Sequence, residues 1–468
     1  MKSASITTGR VALPSFGRDR TCPDIPAAVY RTRLAHTLDR LRAQKLKALI
    51  VYADREHCAN LAYLTGFDPR FEEALLLLSS EGSRKLLVGN ECLGFLPDVE
   101  ALGLEVELFQ ELSLMGQPRS ASRPLRQILR DFGVGRAQRI GCAGWKHFDG
   151  ELVPGSQNAL DVPAYLADLL RDLAGDPRCV VNANRVFMDV RDGLRIVNEP
   201  AQIAQFEYAA GVASEGVLSV LHHLRPGRAE CELEKYLDAH GLPLSCHRMI
   251  SFGEKARRGL SSPSARRARL GDPYTVCLGV QGALTSRAGM IAAGPRDLTG
   301  ALREFYLPLA TNYYHVVATW YANMRVGASA GAVVRAVETV RERNLYRFAV
   351  NPGHYLHLDE WLHSPFSAGS RVRLRSGMAL QMDIIPVSLG PFCYTNAEDG
   401  VILADAPLRK QLAHEFPVMW KRMQARRGFM RDALGINLDD SVLPLSNLAG
   451  WLPPWALDLD TAFIRENV

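Results

Sequence analysis

The sequence lacks the features that mark membrane proteins, disulfide-rich secreted proteins and zinc-finger proteins. Its 468 residues contain no apolar run of 18 residues, so no membrane-spanning helix is expected. The nine cysteines occur singly and without a CxxC pair, which argues against a disulfide framework or a zinc knuckle. The first 20 residues have no apolar core of the kind that a secretory signal needs. We therefore expect a soluble protein of the reducing cytoplasm.

Lysine is scarce, because the 55 basic residues comprise nine Lys and 46 Arg. The densest arginine cluster, between Arg257 and Arg269, is interrupted by Ser and Pro, and the net charge is only +5. A nucleic-acid-binding protein concentrates its positive charge on one stripe, so no nucleic-acid partner is expected. What is present, 47% hydrophobic and 22% charged residues, is the composition of an ordinary globular protein.

The pattern of apolar residues predicts two domains of different class. Residues 1–25 carry Pro, Gly and Ser without periodicity, and they predict an irregular N-terminal arm. Residues 26–175 alternate helices and strands, which indicates an α/β domain. Residues 176–200 are predicted to be a connector.

Residues 201–468 have a different pattern, in which the predicted helices are grouped and are followed by runs of strands. This arrangement predicts an α+β domain with mostly antiparallel pairing. Within it, one long helical segment is expected over 301–347. The Pro-, Trp- and Leu-rich segment 443–460 is expected to pack as an extended C-terminal strap.

Ionisable side chains are concentrated between residues 351 and 399. The cluster comprises His354, His357, Asp359, Glu360, His363, Asp383, Glu398 and Asp399. Imidazoles and carboxylates at the ends of separate strands can converge on a metal ion or form an acid/base pair. The alternative interpretation is that the three histidines are polar groups of the surface.

These segments resemble, in their order and spacing, a family with the pita-bread fold. The resemblance is to creatinase, prolidase, aminopeptidase P and methionine aminopeptidase, the peptidase M24 family. It rests on the segments NEPAQIAQFEYAAGVASEG, LRPGRAECELEKYL, LGDPYTVCLGVQGALTSRAG, NPGHYLHLDEW, LRSGMALQMDIIP and AEDGVILAD. It implies a creatinase/prolidase-type α/β domain over 26–175 and an α+β pita-bread domain over 201–468.

The resemblance also implies where a dinuclear metal site would lie, and the sequence departs from it there. The metallopeptidases of the family use two Asp, one His and two Glu. Their positions fall at Cys277, near Ser286 or Arg287, at His354, at Asp383 and at Glu398. Both hairpin carboxylates are absent, and Arg287 is expected to take the place of a cation. We therefore expect no cofactor, or at most a single divalent ion on His354, Asp383 and Glu398.

The predicted pocket contains four catalytic residues: His354, Asp383, Glu398 and Arg287. An imidazole beside a carboxylate can move a proton, and Arg287 can clamp a substrate carboxylate. A thiolate nucleophile at Cys277 is a further interpretation, but its apolar strand is more typical of a small buried hydrophobe. The segment KARRGLSSPS has no histidine, so the metal-free mechanism of creatinase does not carry over. The alternative to a functional pocket is an internal Arg–carboxylate–His network that fills the cavity.

Five further residues are predicted to bind substrate: His247, His357, His363, Tyr63 and Arg70. His247 is the histidine closest in sequence to the segment that lacks one. By resemblance, Tyr63 and Arg70 complete the pocket of the partner subunit in a homodimer. The alternative for these two is a salt-bridged turn within their own domain.

We accordingly expect a cytoplasmic homodimeric enzyme that hydrolyses a C–N bond of a small polar amino-acid derivative without a dinuclear metal centre. Three alternatives are a catalytically silent pseudopeptidase that binds a ligand or partner, a pocket repurposed for elimination or isomerisation, and a mononuclear-metal Xaa-Pro-type aminopeptidase.

Overall fold

A computed structural model describes residues 5–69, 71–150 and 152–466. The chain divides into two compact units. The N-terminal domain is Ile25–Arg195, and the C-terminal domain comprises Met1–Asp24 and Ile196–Val468. No two of the nine cysteines, all of which lie in the described ranges, form a disulfide.

The strands and helices are numbered along the chain. The strands are β1 (Ser5–Arg10), β2 (Ala48–Ala53), β3 (Ala74–Ser79), β4 (Arg84–Val88), β5 (Glu105–Leu108), β6 (Ile140–Ala143), β7 (Val180–Asn182), β8 (Met249–Phe252), β9 (Pro273–Val280), β10 (Ala283–Met290), β11 (Tyr346–Phe348), β12 (His354–Tyr355), β13 (Ala379–Asp383), β14 (Pro386–Ser388), β15 (Asn396–Leu403), β16 (Val442–Pro444) and β17 (Thr461–Glu466). The helices are α1 (Ala27–Ala43), α2 (Ala59–Thr65), α3 (Val99–Leu102), α4 (Leu125–Asp131), α5 (Ala164–Ala174), α6 (Arg185–Met188), α7 (Pro200–His223), α8 (Glu230–Leu233), α9 (Gly300–Asn323), α10 (Ala330–Val340), α11 (Ala406–Glu415) and α12 (Pro417–Asp432).

The N-terminal domain is built on a mixed six-stranded sheet with the order β5-β4-β3-β2-β6-β7. Strands β2 and β3 are antiparallel neighbours, and every residue of both is buried. Their sequences, ALIVYA and ALLLLS, are the continuous apolar runs expected of strands covered on both faces. Helix α5 ends at Ala174 and is followed by Gly175, which adopts the left-handed conformation (φ 75°) that glycine tolerates best. The predicted α/β class is confirmed.

Two predicted segment boundaries differ from the structure. Strand β7 pairs in parallel with β6, so the segment predicted to be a connector begins inside the sheet of the N-terminal domain. The segment predicted to be an irregular arm contains β1, which pairs antiparallel with β17 and joins Ser5 to Glu466. Both errors have one cause: the partner strand is remote in sequence, and no local periodicity shows it.

The C-terminal domain contains a seven-stranded sheet with the order β12-β13-β15-β10-β9-β8, to which β16 adds by pairing with β15. All pairings in this sheet are antiparallel, as predicted. Helix α7 packs on β9 and β10, and α9 contacts β13. This pita-bread arrangement holds β9, β10, β15 and β13 side by side, which positions the candidate site.

The long helical segment predicted over 301–347 is instead two helices and a strand, α9, α10 and β11. The chain turns between the helices at Gly327, whose φ is 85°, and a continuous helix cannot include that conformation. The C-terminal strap is deeply buried, with Trp451 only 1% exposed. In the described ranges, no helix combines the length and the apolarity needed to cross a membrane.

Candidate active site

His354 is the centre of a buried cluster of ionisable groups on the C-terminal sheet. Its Nδ1 lies 3.1 Å from the carbonyl oxygen of Tyr355 and therefore carries a proton that it donates to that oxygen. The other ring nitrogen, Nε2, faces three carboxylates: it is 3.1 Å from Glu360 Oε1, 3.9 Å from Glu398 Oε1 and 4.0 Å from Asp383 Oδ2. The ring also stacks on Trp361, with centroids 4.2 Å apart. These contacts fix which nitrogen can take part in chemistry.

The strand register explains why the carboxylates converge. Asp383 on β13 faces Glu398 on β15, and Glu398 faces Ser286 on β10. Ser286 in turn faces Cys277 on β9. Directly opposed residues of antiparallel strands have side chains on the same face, so these four side chains form one row.

The electrostatics of the cluster favour a shared proton. Burial raises the pKa of Glu398 to about 7, although His354 opposes the shift. Burial and the negative charge of Glu398 raise the pKa of Asp383 well above its usual value. Burial alone would lower the pKa of His354, but the carboxylates, Glu360 first among them, raise it well above its usual value. Two neighbouring buried carboxyl groups cannot both ionise easily. One of them therefore keeps its proton near neutral pH, which is the arrangement found in acid/base pairs.

The cluster forms one end of a pocket with a volume of about 350 Å³. Its polar lining residues are His247, Thr275, Ser286, Glu360, Asp383, Tyr394, Asn396 and Glu398. The remainder of the lining is mostly apolar. A largely apolar pocket with a few convergent polar groups is the usual form of a small-molecule site.

Arg287, which was predicted to be a catalytic residue, lies on the opposite face of the sheet. Its guanidinium is fully buried and lies 2.8 Å from Asp399 Oδ2, while its Nε donates to the carbonyl oxygen of Trp451 at 2.9 Å. Successive residues of a strand point to opposite faces, so Ser286 faces the pocket and Arg287 cannot. The prediction that Arg287 occupies the place of a cation and clamps a substrate carboxylate is therefore wrong.

Of the four predicted substrate-binding residues that the structure describes, only His247 lines the pocket. Its Nε2 lies 2.8 Å from the carbonyl oxygen of Leu260. His357 is fully buried against Phe206, and His363 uses its Nδ1 to accept the backbone N–H of Ser364 at 2.8 Å. Neither is among the described residues that line the pocket.

The two residues predicted in the N-terminal domain have different outcomes. Tyr63 is buried, and its hydroxyl donates to the carbonyl oxygen of Leu194 in the same domain at 3.0 Å. The guanidinium of Arg33 lies 4.5 Å from the centre of its ring. Arg70 lies outside the described residues.

Cys277 faces the pocket but is not prepared as a nucleophile. Burial raises the pKa of its thiol well above the usual value, and the nearby Cys246, Glu398 and Glu360 raise it further. The thiolate is the reactive form, so this thiol stays protonated and inert. The interpretation of Cys277 as a small buried hydrophobe fits the geometry better.

Three residues of the site are not among the predicted catalytic or substrate-binding residues: Trp361, Tyr394 and Glu360, which was predicted only as a member of the ionisable cluster. Glu360 lies closer to His354 Nε2 than the two predicted carboxylates do. Its position six residues after His354, in the same His- and acid-rich segment, was an available signal. Tyr394 lines the pocket, and burial raises the pKa of its hydroxyl, with Asp383 and Glu398 adding to the shift. No sequence pattern distinguishes Tyr394 from other tyrosines.

The donor set fits one divalent metal ion better than two. Ligand atoms of His354, Glu360 and Glu398 lie within 4.8 Å of one another. Among the described residues, Nε2 of His354 and Oδ1 of Asp383 are buried and make no well-formed hydrogen bond. To hold a second ion, however, the protein would have to use the protonated Cys277 thiol and the neutral Ser286 hydroxyl, which are the other two members of the row. These are unsuitable replacements for carboxylates around a second hard cation.

Comparisons with solved structures identify the fold. The chain is similar to a prolidase from Thermococcus sibiricus, with a TM-score of 0.61 and 16% identity over 80% of this chain and 95% of that one. It is similar to a dipeptidase from Mycobacterium ulcerans, with a TM-score of 0.58 and 19% identity over 83% and 95% of the two chains. A putative aminopeptidase P from Bacillus anthracis gives a TM-score of 0.58 and 14% identity over 86% and 99%. No curated protein matches the sequence.

The class of protein is thus defined: the chain has the two-domain fold of the prolidases and X-Pro aminopeptidases. Residues 33–157 match the creatinase/prolidase N-terminal domain family. The predicted resemblance to creatinase, prolidase and aminopeptidase P is confirmed for the fold, and the family match covers part of the N-terminal domain.

Proposed function

We propose that this protein is a hydrolase that cleaves a C–N bond of a small amino-acid-like molecule, without a dinuclear metal centre. The observation that carries the proposal is the convergence of Nε2 of His354 with three carboxylates at one end of a pocket of about 350 Å³. Two of these carboxyl groups have raised pKa values, which is typical of acid/base sites.

Glu398 is the group best suited to act as the general base. The pKa of its carboxyl is raised to about 7, so it can take a proton from water near neutral pH and return it to the leaving nitrogen. Gln381 donates to Glu398 Oε1 at 3.2 Å and to the carbonyl oxygen of Leu284 from the same nitrogen, at 2.7 Å. Gln381 thereby holds the carboxylate in place.

Asp383 and Tyr394 are suited to donate hydrogen bonds. The raised pKa of Asp383 lets it keep its proton at a higher pH than an ordinary carboxyl. The phenol of Tyr394 stays protonated for the same electrostatic reason. Donors aimed at the developing negative charge of a carbonyl oxygen stabilise the transition state of acyl transfer.

A single divalent ion is compatible with this proposal. His354, Glu360 and Glu398 would hold it, with Asp383 beside them. When bound, such an ion polarises a substrate carbonyl as a Lewis acid. The proton transfers assigned to Glu398 and Asp383 are those of the metal-free protein, because a carboxylate that holds the ion is not free to act as a base.

We further propose a cytoplasmic homodimer. The absence of disulfides among the nine cysteines, all of them in the described ranges, supports a reducing compartment. The dimer rests on the resemblance to the creatinase and prolidase branch. Sedimentation equilibrium of the full chain is expected to give twice the 51.7 kDa mass of one chain. A monomer mass at all concentrations contradicts the dimer.

The test of the hydrolase is turnover by the full-length protein. A panel of dipeptides, aminoacyl amides and N-acyl amino acids is incubated with the protein, and products are followed by mass spectrometry. Cleavage is expected to fall about 100-fold or more in Glu398→Gln and Asp383→Asn, in line with the usual worth of a general acid or base. Glu304→Gln, at an exposed position of α9, is the matched control. Equal activity of all variants, or no cleavage of any compound, contradicts the proposal.

A further inference from the structure

Part of the pocket wall is a loop and not a strand of the sheet. This pocket loop, residues 253–263, follows β8, and Gly259 and Leu260 at its tip line the pocket. The tip is lightly held. Thr275 Oγ1 donates to the carbonyl oxygen of Gly259 at 3.4 Å, which is long for a hydrogen bond, and Leu260 is 69% exposed. The position of the loop therefore depends mainly on contacts closer to its base.

The two ends of the pocket loop meet at one buried carboxylate. Glu230, the first residue of α8, is fully buried. One of its oxygens accepts the backbone N–H of Phe252 at 2.8 Å, at the point where the loop begins. The other accepts the backbone N–H of Ser264 at 2.8 Å and the hydroxyl of the same residue at 2.6 Å, just after the loop ends. Glu230 thus fixes the separation of the two ends.

Lys255 joins the interior of the pocket loop to the same carboxylate. Its ammonium group forms an ion pair with Glu230 and donates to the carbonyl oxygens of Ser262 and, at 3.4 Å, Ile250. An ammonium group has three protons, so each of its donors has a partner. Because Lys255 and Ser262 lie on opposite sides of the tip, the ammonium group holds the two sides of the loop together.

A weaker contact lies at the outer side of the pocket loop. The guanidinium of Arg257 lies 4.0 Å from the centre of the Phe392 ring, and Phe392 precedes Tyr394, which lines the pocket. Arg257 is exposed, and a cation–π contact at an exposed site stabilises much less than an ion pair with a buried carboxylate. The pairing of Lys255 with the buried carboxylate is therefore the main restraint on the loop.

We propose that Lys255 is a positioning residue, which holds the pocket loop in place through Glu230, and that the loop moves away from the pocket when this ion pair is removed. The proposal goes beyond the proposed function, because the pocket needs this wall whatever bond the protein cleaves. The effect reaches the site through His247, whose Nε2 lies 2.8 Å from the carbonyl oxygen of Leu260. Displacement of the tip removes the group that orients this ring, and it opens the pocket to solvent.

Three cysteines of the C-terminal domain report on the position of the pocket loop. Cys277 lines the pocket and is 6% exposed, Cys231 is exposed on α8, and Cys393 is buried and is not among the described residues that line the pocket. The full-length protein is treated with iodoacetamide under native conditions, and alkylation of each cysteine is followed by peptide mass spectrometry. The thiolate is the form that reacts, so exposure and hydration of Cys277 both accelerate its alkylation.

The test variant is Glu230→Gln/Lys255→Met, which removes both charges and leaves no unpaired buried charge that would unfold the domain. Alkylation of Cys277 is expected to become at least about tenfold faster, because the reagent enters through a local opening, while Cys231 and Cys393 keep their wild-type rates.

Two single variants complete the comparison. Lys410→Met, at an exposed position of α11, is the matched control and should leave the rate at Cys277 unchanged. Lys255→Arg keeps a positive charge beside Glu230 and should stay within about threefold of the wild-type rate at Cys277. A rate in Lys255→Arg as high as that of the double variant contradicts the role of the charge.

An unchanged rate at Cys277 in the double variant overturns the proposal. Equal acceleration at Cys393 also overturns it, because the domain as a whole would then have loosened. Trypsin provides a second measurement, since cleavage after Arg257 should be faster in the double variant than in the wild type, and equal cleavage counts against a displaced loop. These measurements need no turnover, so a failure of the hydrolase proposal leaves them valid.

Discussion

Arg287 and Asp399 form an ion pair with no solvent exposure, and their closest nitrogen and oxygen atoms are 2.8 Å apart. The pair lies behind the sheet that carries the candidate site on its other face. Removal of one partner leaves an uncompensated buried charge, whereas replacement of both by apolar residues does not. The role of Arg287 is therefore structural, and this can be tested.

Arg287→Met is expected to destabilise the C-terminal domain by about 3–5 kcal/mol, the usual cost of breaking a buried ion pair. Urea unfolding measures this, with Arg296→Met as the exposed control. The double variant Arg287→Met/Asp399→Leu should recover much of the loss. A stable Arg287→Met protein without activity would contradict this and restore a catalytic role.

The activity is expected to depend on the ionisation of Glu398. Because a general base must be unprotonated, kcat/KM should fall as the pH drops through about 7, the raised pKa of this group. Glu360 is a negative neighbour that helps to raise this pKa. Glu360→Gln should therefore move the acid limb to lower pH in chelator-treated protein. A limb that stays in place after this change would show that another group is being titrated.

The same ionisation affects stability in the opposite direction. The folded state raises the pKa of Glu398 from 4.5 to about 7, so it holds the proton more tightly than the unfolded chain does. Its contribution to stability is thus fully present below pH 4.5 and is lost as the pH rises through about 7. Glu398→Gln is expected to be more stable than the wild type at pH 8, by about 1–3 kcal/mol, with little difference at pH 4.5. Guanidinium unfolding at the two pH values measures this, and a destabilised variant at pH 8 would refute it.

Metal content offers a further test. After dialysis against Mn²⁺, elemental analysis of the wild type should find no more than one equivalent per chain. Cys277→Asp/Ser286→Asp adds two carboxylates to the row that contains Glu398 and Asp383, and it should take up a second equivalent. Cys246→Asp, whose side chain lies beside the row and not in it, is the comparison variant. Two equivalents in the wild type would contradict the absence of a dinuclear centre.

The buried carboxylate of Glu207 is expected to be a stability determinant of the C-terminal domain. Arg422 and Arg426 both lie 2.7 Å from its oxygens, and Glu207 is fully buried. Glu207→Ala leaves two guanidinium groups facing each other and should cost about 3–5 kcal/mol. Asp19 also pairs with Arg422 but is partly exposed. Asp19→Ala should therefore lower the free energy of unfolding by about 1 kcal/mol or less. Thermal unfolding compares the two, and equal effects would contradict the difference in burial.

Much of the architecture could be predicted from local pattern. The alternation of helices and strands over 26–175, and their grouping over 201–468, predict the class of each domain. The residues of the site were harder to predict, because side chains alternate between the two faces of a strand. An error of one residue in the alignment of the strand puts the wrong side chain in the pocket. Ser286 and Arg287 were both near the expected position, and only the pairing of Ser286 with Glu398 distinguishes them.

Contacts made by residues on loops could not be predicted from local pattern. Glu360 reaches His354 from a loop, and its own surroundings in the sequence do not set that geometry. Tyr394 joins the site because β14 and β15 turn the chain back toward Asp383. Site residues on strands were thus easier to predict than site residues on loops, since the geometry of a strand is regular and that of a loop is not.

The pairing of β1 with β17 sets an order of events during synthesis. Arg10 is paired with Thr461, and the 450 residues between them must be made before the second strand exists. At about 5–20 residues per second, this takes roughly 20–90 seconds. Throughout that time β1 lacks the strand with which it pairs, so its backbone N–H and C=O groups are free to pair with another chain. Stalled or truncated chains that lack residues 461–466 would keep these groups exposed and are the form in which this protein should aggregate.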